Sequence, residues 1–252
     1  MNKLISKRKT FSLILPCFNE AENLPILVDS FLSTIHELNE LKEEIELILV
    51  NNGSTDNSDL ILKEIEDSYS FTKIIRIERN KGYGNGIKRG LIQASGEFIG
   101  WTHADLQTDL KDTINGFLMI RSLNYPNDIY IKGRRIGRVF GDQLFSDAMS
   151  IFESCLFMMP LYEINAQPNI FHRSFLNKCI DAPDDFSIDL YFYIKAIIHR
   201  LSIVRVKVRF GTRRYGISSW NINWYSKLRF IIRTILYSLK LRNRLGVIKR
   251  RN

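Results

Sequence analysis

Four short apolar segments in the first 101 residues each end in a cluster of polar residues. They cover residues 11–15, 46–50, 73–77 and 97–101, and the first three are followed by stretches whose apolar residues have helical spacing. Buried strands that alternate with helices predict a parallel sheet covered on both faces. We therefore expect an α/β fold, a three-layer α/β/α sandwich with a mostly parallel central sheet.

The rest of the chain is less regular. Strands are predicted at 130–132 and 203–208, and helices at about 139–159 and 188–199. No low-complexity linker interrupts this region. Residues 1–215 are therefore predicted to form one catalytic or binding domain, followed by a C-terminal extension over 216–252.

The polar clusters follow the strands at equivalent places. They cover residues 17–20, 51–56, 80–83 and 102–107. Because the carboxyl ends of parallel strands share one edge of the sheet, these clusters are expected to meet in one ligand-binding crevice. Each cluster alone is ambiguous. Asp105 could hold a divalent cation together with substrate phosphates, or it could cap a helix, and the Asn51–Asp56 stretch could bind a nucleoside or form a turn.

Two further motifs allow both a binding and a structural interpretation. The glycines between residues 82 and 90 loosely resemble a phosphate loop, although tight turning and close helix packing explain them equally well. The arginines of 134–138, and later Arg213 and Arg214, suit phosphate recognition because a guanidinium makes paired, charge-assisted hydrogen bonds. A charged surface loop is the alternative.

Basic residues are concentrated at the C-terminal end. Residues 190–252 hold 16 of the 36 Lys and Arg residues and no Asp or Glu. Residues 225–241 predict an amphipathic helix with Arg229, Arg233 and Lys240 opposite an apolar arc. The arc consists of Tyr225, Leu228, Ile231, Ile232, Ile235, Leu236 and Leu239. Such a helix could lie on an anionic membrane surface, with 221–252 as the contact, or pack on the protein core.

Several classes of protein are disfavoured. Cys17, Cys155 and Cys179 form neither a disulfide framework nor a zinc pattern, which indicates a reducing compartment. No leader peptide is recognised, and no stretch reaches the roughly 20 apolar residues of a transmembrane helix. We therefore expect a cytoplasmic protein, peripheral at most on the inner face of a membrane. No recognised module accompanies the basic tail, so no nucleic-acid partner is expected.

Read in order, six segments resemble family 2 glycosyltransferases, in the branch that is similar to dolichol-phosphate mannose synthase. They are LPCFNEAENL (15–24), LVNNGSTDNS (49–58), NKGYGNGIKRGL (80–91), SGEFIGWTHADLQTD (95–109), KGRRIGR (132–138) and RRYGISSW (213–220). The resemblance implies a Rossmann-like A-type fold, a UDP- or GDP-sugar donor, a divalent metal (Mg²⁺ or Mn²⁺) and inversion at the anomeric carbon. It also implies a lipid-phosphate or glycan acceptor in polysaccharide or glycolipid synthesis.

The resemblance assigns roles to individual residues. Those that would bind the nucleotide sugar are Pro16, Asn19, Glu20, Asn51, Asn52, Asp56, Lys81, Gly82, His103, Ala104 and Ser218. Asp105 would hold the metal on the diphosphate, with Gln107 beside it. Arg135, Arg138 and Arg213 would act near the phosphates. Asp189 is the candidate general base, which a hydroxyl acceptor needs and an anionic phosphate acceptor does not.

Two departures from the family pattern leave a second function open. His103 stands where the Asp-x-Asp signature has its first aspartate, and Asn51 replaces another usual aspartate. Both changes remove negative charge, so the chain could be a nucleotide-sugar-binding module without catalysis. The retained Asp105, Gln107 and arginines favour an enzyme. The stretch 165–168 also differs from the mannose synthases, so their acceptor is not carried over.

Overall fold

A computed structural model describes residues 10–38, 43–138, 140–211, 213 and 224–249. Its seven strands are β1 (Phe11–Cys17), β2 (Ile45–Asn52), β3 (Thr72–Ile77), β4 (Phe98–Trp101), β5 (Ile129–Ile136), β6 (Asn169–His172) and β7 (Ser202–Arg209). Its α-helices are α1 (Asn23–Glu37), α2 (Ser58–Ser68), α3 (Tyr83–Gln93), α4 (Leu110–Ser122), α5 (Phe140–Phe157), α6 (Ile188–Ile198) and α7 (Trp224–Lys249). A short 3₁₀ helix covers Arg173–Lys178.

The strands form one sheet in the order β3-β2-β1-β4-β6-β5-β7. β1 pairs in parallel with β2 and β4, β2 with β3, and β5 with β7. Only β6, among the described strands, runs against its neighbours β4 and β5. The predicted mostly parallel sheet is therefore confirmed.

Apolar residues form one core layer on each face of the sheet. Alternate residues of β1 divide between them, since Leu13 and Leu15 pack with α1 and α4 whereas Ile14 packs with α3 and α6. The period of two in a strand sends neighbouring side chains to opposite faces. Gly90 of α3 allows close packing on the second face, because a Cβ there would lie 2.3 Å from Ile14 Cγ2. The result is the predicted three-layer sandwich.

Three elements differ from the sequence-based expectation. β5 extends to Ile136, so Arg134 and Arg135 lie on a strand paired with β7 rather than on a loop. Strand β6 was not predicted, because four residues carry too little periodicity to be recognised. Helix α4 was also missed, although Asp109 accepts a hydrogen bond from the Lys111 backbone N–H at 2.9 Å as its N-cap.

Helix α7 divides its surface between the core and the exterior. Leu241 is 4% exposed in the second core layer, and Ser238 Oγ donates to Glu153 Oε1 of α5 at 2.6 Å. By contrast, most of the predicted apolar arc is uncovered by the described part of the chain, with Tyr225 71% and Leu236 61% exposed. No described helix has the length and apolar character required to cross a membrane. The predicted domain boundary at 215/216 lies outside the described residues.

Candidate active site

The loops that follow β1 and β2 interlock at the carboxyl edge of the sheet. Asn19, with a left-handed φ of 56°, donates from its backbone N–H to Ser54 Oγ at 3.1 Å and accepts from the Thr55 N–H at 2.8 Å. The Glu20 N–H donates to Ser58 Oγ at 2.9 Å. Thus two of the predicted polar clusters lie against each other. Pro16 is half-buried on β1, opposite Val50 of β2.

Asp56 joins the same two loops. Its Oδ1 accepts from the Ser58 N–H at 3.0 Å and its Oδ2 from the Ala21 N–H at 3.2 Å. Burial opposes ionisation of this carboxyl group, but the hydrogen bonds from Ser58 and Ala21 outweigh burial and lower its pKa. The ionised Asp56 carboxylate therefore holds the loops that follow β1 and β2 together.

The adjacent asparagines of β2 have different bonding capacity. Asn51 accepts from the Ser54 N–H at 3.0 Å and donates to Asp59 Oδ1 at 2.9 Å, so both ends of its amide are engaged within the chain. Asn52 donates to the Gly82 carbonyl at 3.0 Å, while its Oδ1 is buried without a hydrogen-bond partner. A buried, unpaired oxygen is costly. Asn52 is therefore the one of the pair whose amide can still accept from a ligand.

The glycine-rich third cluster packs against another loop. Gly82 has a φ of 104°, and a Cβ there would lie 2.4 Å from the Asp184 carbonyl oxygen. The close approach explains this glycine without a phosphate, in line with the packing alternative. Lys81 beside it is exposed.

Asp105 and Arg213 form an ion pair at the end of β4. Arg213 Nη2 lies 2.7 Å from Asp105 Oδ2, and the Gln107 N–H donates to Asp105 Oδ1 at 3.1 Å. The Gly211 N–H donates to the Gln107 carbonyl at 2.8 Å, and Gln107 Nε2 donates back to the Gly211 carbonyl at 3.2 Å. Residues predicted to act together are therefore brought together across more than 100 positions.

Glu20 adds a further carboxyl group to this centre. Burial raises its pKa, the Asn23 side chain and Arg213 lower it, and the charges of Asp105 and Asp56 raise it, with a net upward shift. Among the described residues, no three His, Cys, Asp or Glu side chains are grouped to hold a metal. The buried Asp105 carboxylate does fit a Mg²⁺ or Mn²⁺ ion whose other ligands are substrate phosphates and water. Arg213 supplies the compensating positive charge.

His103 and Ala104 face different surroundings. The His103 ring lies 5.2 Å from the Tyr83 ring, which in turn stacks on Phe186 at 4.7 Å. Ala104 is buried in the core layer on the α1 and α4 side. Its side chain therefore supports the loop from below. Ser218, the remaining predicted binding residue, lies outside the described residues.

Arg135 and Arg138 border a second, polar pocket of about 380 Å³. Arg135 Nε pairs with Glu163 Oε2 at 2.6 Å, and Arg138 Nη2 donates to Ser146 Oγ at 2.9 Å. Both guanidinium groups lie over the ring of Phe210, at 5.5 and 5.8 Å. Since Gly211, the residue after Phe210, bonds to Gln107, Phe210 and Gly211 connect these arginines with the Asp105 centre.

A mainly apolar, open groove adjoins this pocket and shares Arg135 with it. Its apolar lining includes Phe145, Met149, Ile164, Phe186, Leu190 and Phe230. Glu153 also lines the groove, and burial raises its pKa to about 7. The groove thus joins an apolar surface to a guanidinium group.

Asp189 lies in a buried polar network that the sequence did not reveal. It is 1% exposed, and its Oδ1 accepts from Trp101 Nε1, Gln167 Nε2 and Asn169 Nδ2 at 2.9–3.0 Å. Lys132, which belongs to the same network, is fully buried, and burial lowers its pKa to about 7. A lysine directly after the apolar run Ile129–Ile131 was the one sequence signal for this network. The general-base role of Asp189 stays a prediction.

Comparisons with known proteins find similarity to one family over part of the chain. Residues 12–119 match the family model described as Glycosyl transferase family 2. An undecaprenyl-phosphate 4-deoxy-4-formamido-L-arabinose transferase of Proteus mirabilis is 40% identical over 99 residues, which are 38% of this chain and 29% of that protein. A protein of the same description from Yersinia pestis is 37% identical over 106 residues, 42% of this chain and 32% of that protein. The chain spans about a third of the length of the curated relatives it matches.

Solved structures with low sequence identity share the fold. One is the glucosyl-3-phosphoglycerate synthase of Mycobacterium tuberculosis with Mn²⁺, UDP-glucose and phosphoglyceric acid, with a TM-score of 0.66 and 16% identity over 93% of this chain and 79% of that chain. Another is the mannosyltransferase PcManGT of Pyrobaculum calidifontis with GDP-Man and Mn²⁺, with a TM-score of 0.65 and 17% identity over 93% and 65% of the two chains.

Proposed function

We propose that this chain, in which residues 12–119 match the family 2 glycosyltransferase model, transfers a sugar from a UDP- or GDP-sugar to a lipid-linked phosphate. The family match over residues 12–119 covers the first four of the six sequence segments. The donor and the acceptor are inferred from the chemistry of the site together with the relatives' descriptions, and inversion follows from the resemblance to the family.

The observation that carries the proposal is the buried Asp105 carboxylate, paired with Arg213 at 2.7 Å at the carboxyl end of β4. A nucleoside diphosphate brings negative charge that suits Arg213, and Asp105 would hold the accompanying Mg²⁺ or Mn²⁺. When bound, that metal would neutralise the charge that develops on the departing diphosphate. Arg213 would contact the diphosphate directly, through charge-assisted hydrogen bonds.

The nucleoside would lie against the interlocked loops of β1 and β2. The unpaired Asn52 Oδ1 can accept from a base or ribose donor, and the buried Glu20 offers a carboxyl group of raised pKa nearby. Asp56 keeps the loops in place without needing to touch the ligand. We expect the residues of these loops to determine whether uracil or guanine is bound.

A phosphate acceptor agrees with the surroundings of Asp189. Its Oδ1 already accepts three hydrogen bonds, and the side chain is almost fully buried, so it is poorly placed to take a proton from a hydroxyl group. An acceptor phosphate needs no base. Its oxygen would bond to the anomeric carbon while the bond from that carbon to the donor diphosphate breaks. The diphosphate leaves with the electron pair, and the configuration inverts.

The acceptor would occupy the polar pocket and the apolar groove that share Arg135. The guanidinium groups of Arg135 and Arg138 suit a phosphate, and the groove suits the first part of an apolar chain. The relatives described as undecaprenyl-phosphate transferases support an acceptor of this class. A glycan acceptor is the alternative, and it would bury less apolar surface in the groove than a lipid chain.

A lipid-linked acceptor calls for contact with a membrane surface, which α7 and α5 can provide. The apolar arc of α7 includes Leu228, Ile232 and Leu236, all exposed, and Leu144, Ile151 and Met158 are exposed around α5. Arg229 and Arg233 of α7 are exposed as well. Exposed apolar residues beside cationic side chains suit the headgroup boundary of an anionic bilayer. The rest of the predicted contact, 221–223 and 250–252, lies outside the described residues.

The test is a transfer assay with the full chain. Radiolabelled UDP- and GDP-sugars are offered with Mn²⁺ to undecaprenyl phosphate in detergent, to undecaprenol without phosphate, and to a soluble oligosaccharide. We expect label in the lipid phosphate alone, with one of the two nucleotides. Transfer to the oligosaccharide would contradict the acceptor class. Nucleotide binding without any transfer would favour the binding module instead.

A further inference from the structure

A row of polar residues crosses four strands beneath the crevice. The register pairs Trp101 of β4 with Asn169 of β6, Asn169 with Lys132 of β5, and Lys132 with Arg205 of β7. Trp101, Asn169 and Lys132 are fully buried. Trp101 is also the last residue of β4, so the row lies directly before the loop that carries His103 and Asp105.

Asn169 links a buried lysine to a buried aspartate. Its Oδ1 accepts from Lys132 Nζ at 2.8 Å and from the Tyr130 hydroxyl at 3.0 Å. Its Nδ2 donates to Asp189 Oδ1 at 3.0 Å. The amide of Asn169 therefore has one possible orientation, because its oxygen must face the Lys132 ammonium group and its nitrogen must face the Asp189 carboxylate. Lys132 Nζ makes a second bond to the Ala166 carbonyl at 3.0 Å.

The network continues to the edge of the crevice. Gln167 Nε2 donates to Asp189 Oδ1 at 2.9 Å and to the Tyr83 hydroxyl at 3.3 Å. The Tyr83 ring packs on His103 and Phe186. A continuous series of contacts therefore leads from Lys132 to the residue two positions before Asp105.

Stability alone does not account for this arrangement. Removing a cation and an anion from water is costly. A protein in which well-packed apolar residues replace a buried ion pair is often as stable as the original. A fully bonded buried network instead holds its members in one geometry. Here it ties β5, which carries Arg135, to β4, which leads into Asp105.

We propose that Lys132 is a positioning residue for sugar transfer, which acts through Asn169 and Asp189 to fix Gln167, Tyr83 and His103 at the crevice. The inference rests on the proposed function and adds a role for residues outside the crevice. It assigns Asp189 to the support of the site, as the anchor of three hydrogen bonds.

The experiment compares Lys132→Met, Asp189→Asn and the double variant in the full chain, at pH 6, where Lys132 is charged. Each single variant should lower kcat about tenfold to a hundredfold, as misplacement of reacting groups does, without a comparable rise in the donor KM. The double variant should recover thermal stability, because neither charge is then left alone, but it should not recover kcat. Lys111→Met, an exposed lysine paired with Glu37, is the control and should leave both unchanged.

A purely structural role makes a different prediction. If the double variant recovers kcat together with stability, or if the single variants retain wild-type kcat, the positioning role is wrong. The stability coupling between Lys132 and Asp189 tests the network itself, and its absence would also overturn the inference.

A second measurement separates this inference from the proposed function. In a Trp220→Phe, Trp224→Phe background, Trp101 is the only tryptophan, and its indole N–H is bonded to Asp189. UDP or GDP with Mn²⁺ should change its emission, and Lys132→Met should abolish that response. If no sugar transfer is found, the proposed function fails while this response still supports the network. An absent response in the parent protein, or one retained in Lys132→Met, would contradict it.

Discussion

At the scale of single residues, the site depends on side chains that compensate one another. The Asp105 carboxylate is neutralised by Arg213. The pKa of Glu20 is lowered by the charge of Arg213 and raised by that of Asp105. The side chains of Asn51 and Asp56 make their hydrogen bonds within the chain, whereas Asn52 Oδ1 has no hydrogen-bond partner. The residues that can bind a ligand are therefore fewer than the residues that shape the crevice.

Asp105→Ala should abolish sugar transfer and remove the enhancement of nucleotide binding by Mn²⁺. The variant loses the carboxylate that fits a metal on the diphosphate, and it leaves Arg213 without its 2.7 Å partner. Calorimetric titration with UDP or GDP, with and without Mn²⁺, measures the effect beside the transfer assay. Asp67→Ala, an exposed acid of α2, is the control. Metal dependence equal to that of the wild type would rule out the assignment.

Arg213→Ala should weaken the transfer reaction by about tenfold to a hundredfold, since a hydrogen bond to a charged group contributes about 1.5–3 kcal/mol. Arg213→Lys should recover only part of the loss if the guanidinium makes paired contacts with the diphosphate. Steady-state kinetics with varied donor gives both numbers. Full activity in the alanine variant would show that Arg213 serves only as the partner of Asp105.

At the scale of helices and strands, α5 and α7 meet through a buried hydrogen bond between Ser238 and Glu153. The contact holds α7 on the second core layer, while the apolar arc of α7 is left exposed. The two interpretations of the C-terminal helix are therefore compatible, because different sides of the helix are involved. Both sides can be tested separately.

Glu153→Gln should change how stability depends on pH. Burial raises the pKa of Glu153 from 4.5 to about 7, so between these values the folded protein binds more protons than the unfolded chain. The free energy of unfolding should therefore fall as pH rises from about 4.5 to 7. The variant should lack this fall and be more stable than the wild type at pH 7.5. Urea denaturation at pH 5 and 7.5 checks it, and an identical pH dependence in both proteins would contradict the assignment.

Ile232→Asn with Leu236→Asn should reduce binding to anionic liposomes and leave folding intact, because both side chains are exposed. Leu241→Ala is the matched comparison on the same helix. It should cost about 2–5 kcal/mol of stability, as removal of a buried leucine side chain does. Liposome flotation at low and high salt measures binding. Unchanged flotation of the double asparagine variant would disprove the membrane contact.

At the scale of the whole molecule, the crevice needs both halves of the sheet. β1, β2 and β4 provide the loops around Asp105, and β5 and β7 provide the arginines, with the antiparallel β6 between them. The buried network spans this junction, with Lys132 on one side of β6 and Trp101 on the other. The free energy of unfolding of the whole protein should therefore depend on whether Lys132 is charged.

The free energy of unfolding should rise with pH between about 7 and 10.5 through Lys132. Burial lowers its pKa from 10.5 to about 7, so in this window the unfolded chain binds more protons than the folded protein. Lys132→Met should remove that contribution, whereas the exposed Lys111→Met should not. Denaturation curves at pH 7, 8 and 9 give the slopes. Equal slopes for Lys132→Met and the wild type would refute the shift.

The sequence by itself determined the strands of the first half and their polar ends, including the end of β4 that leads to Asp105. These follow from local periodicity and from the rule that parallel strands present their carboxyl ends at one edge. Only the tertiary structure decided which partners those residues meet. Arg213 reaches Asp105 across 108 positions, Asn169 of the unpredicted β6 bridges Lys132 and Asp189, and the arc of α7 stays exposed while Leu241 is buried. Such contacts depend on how distant elements pack, and no local pattern of residues encodes that packing.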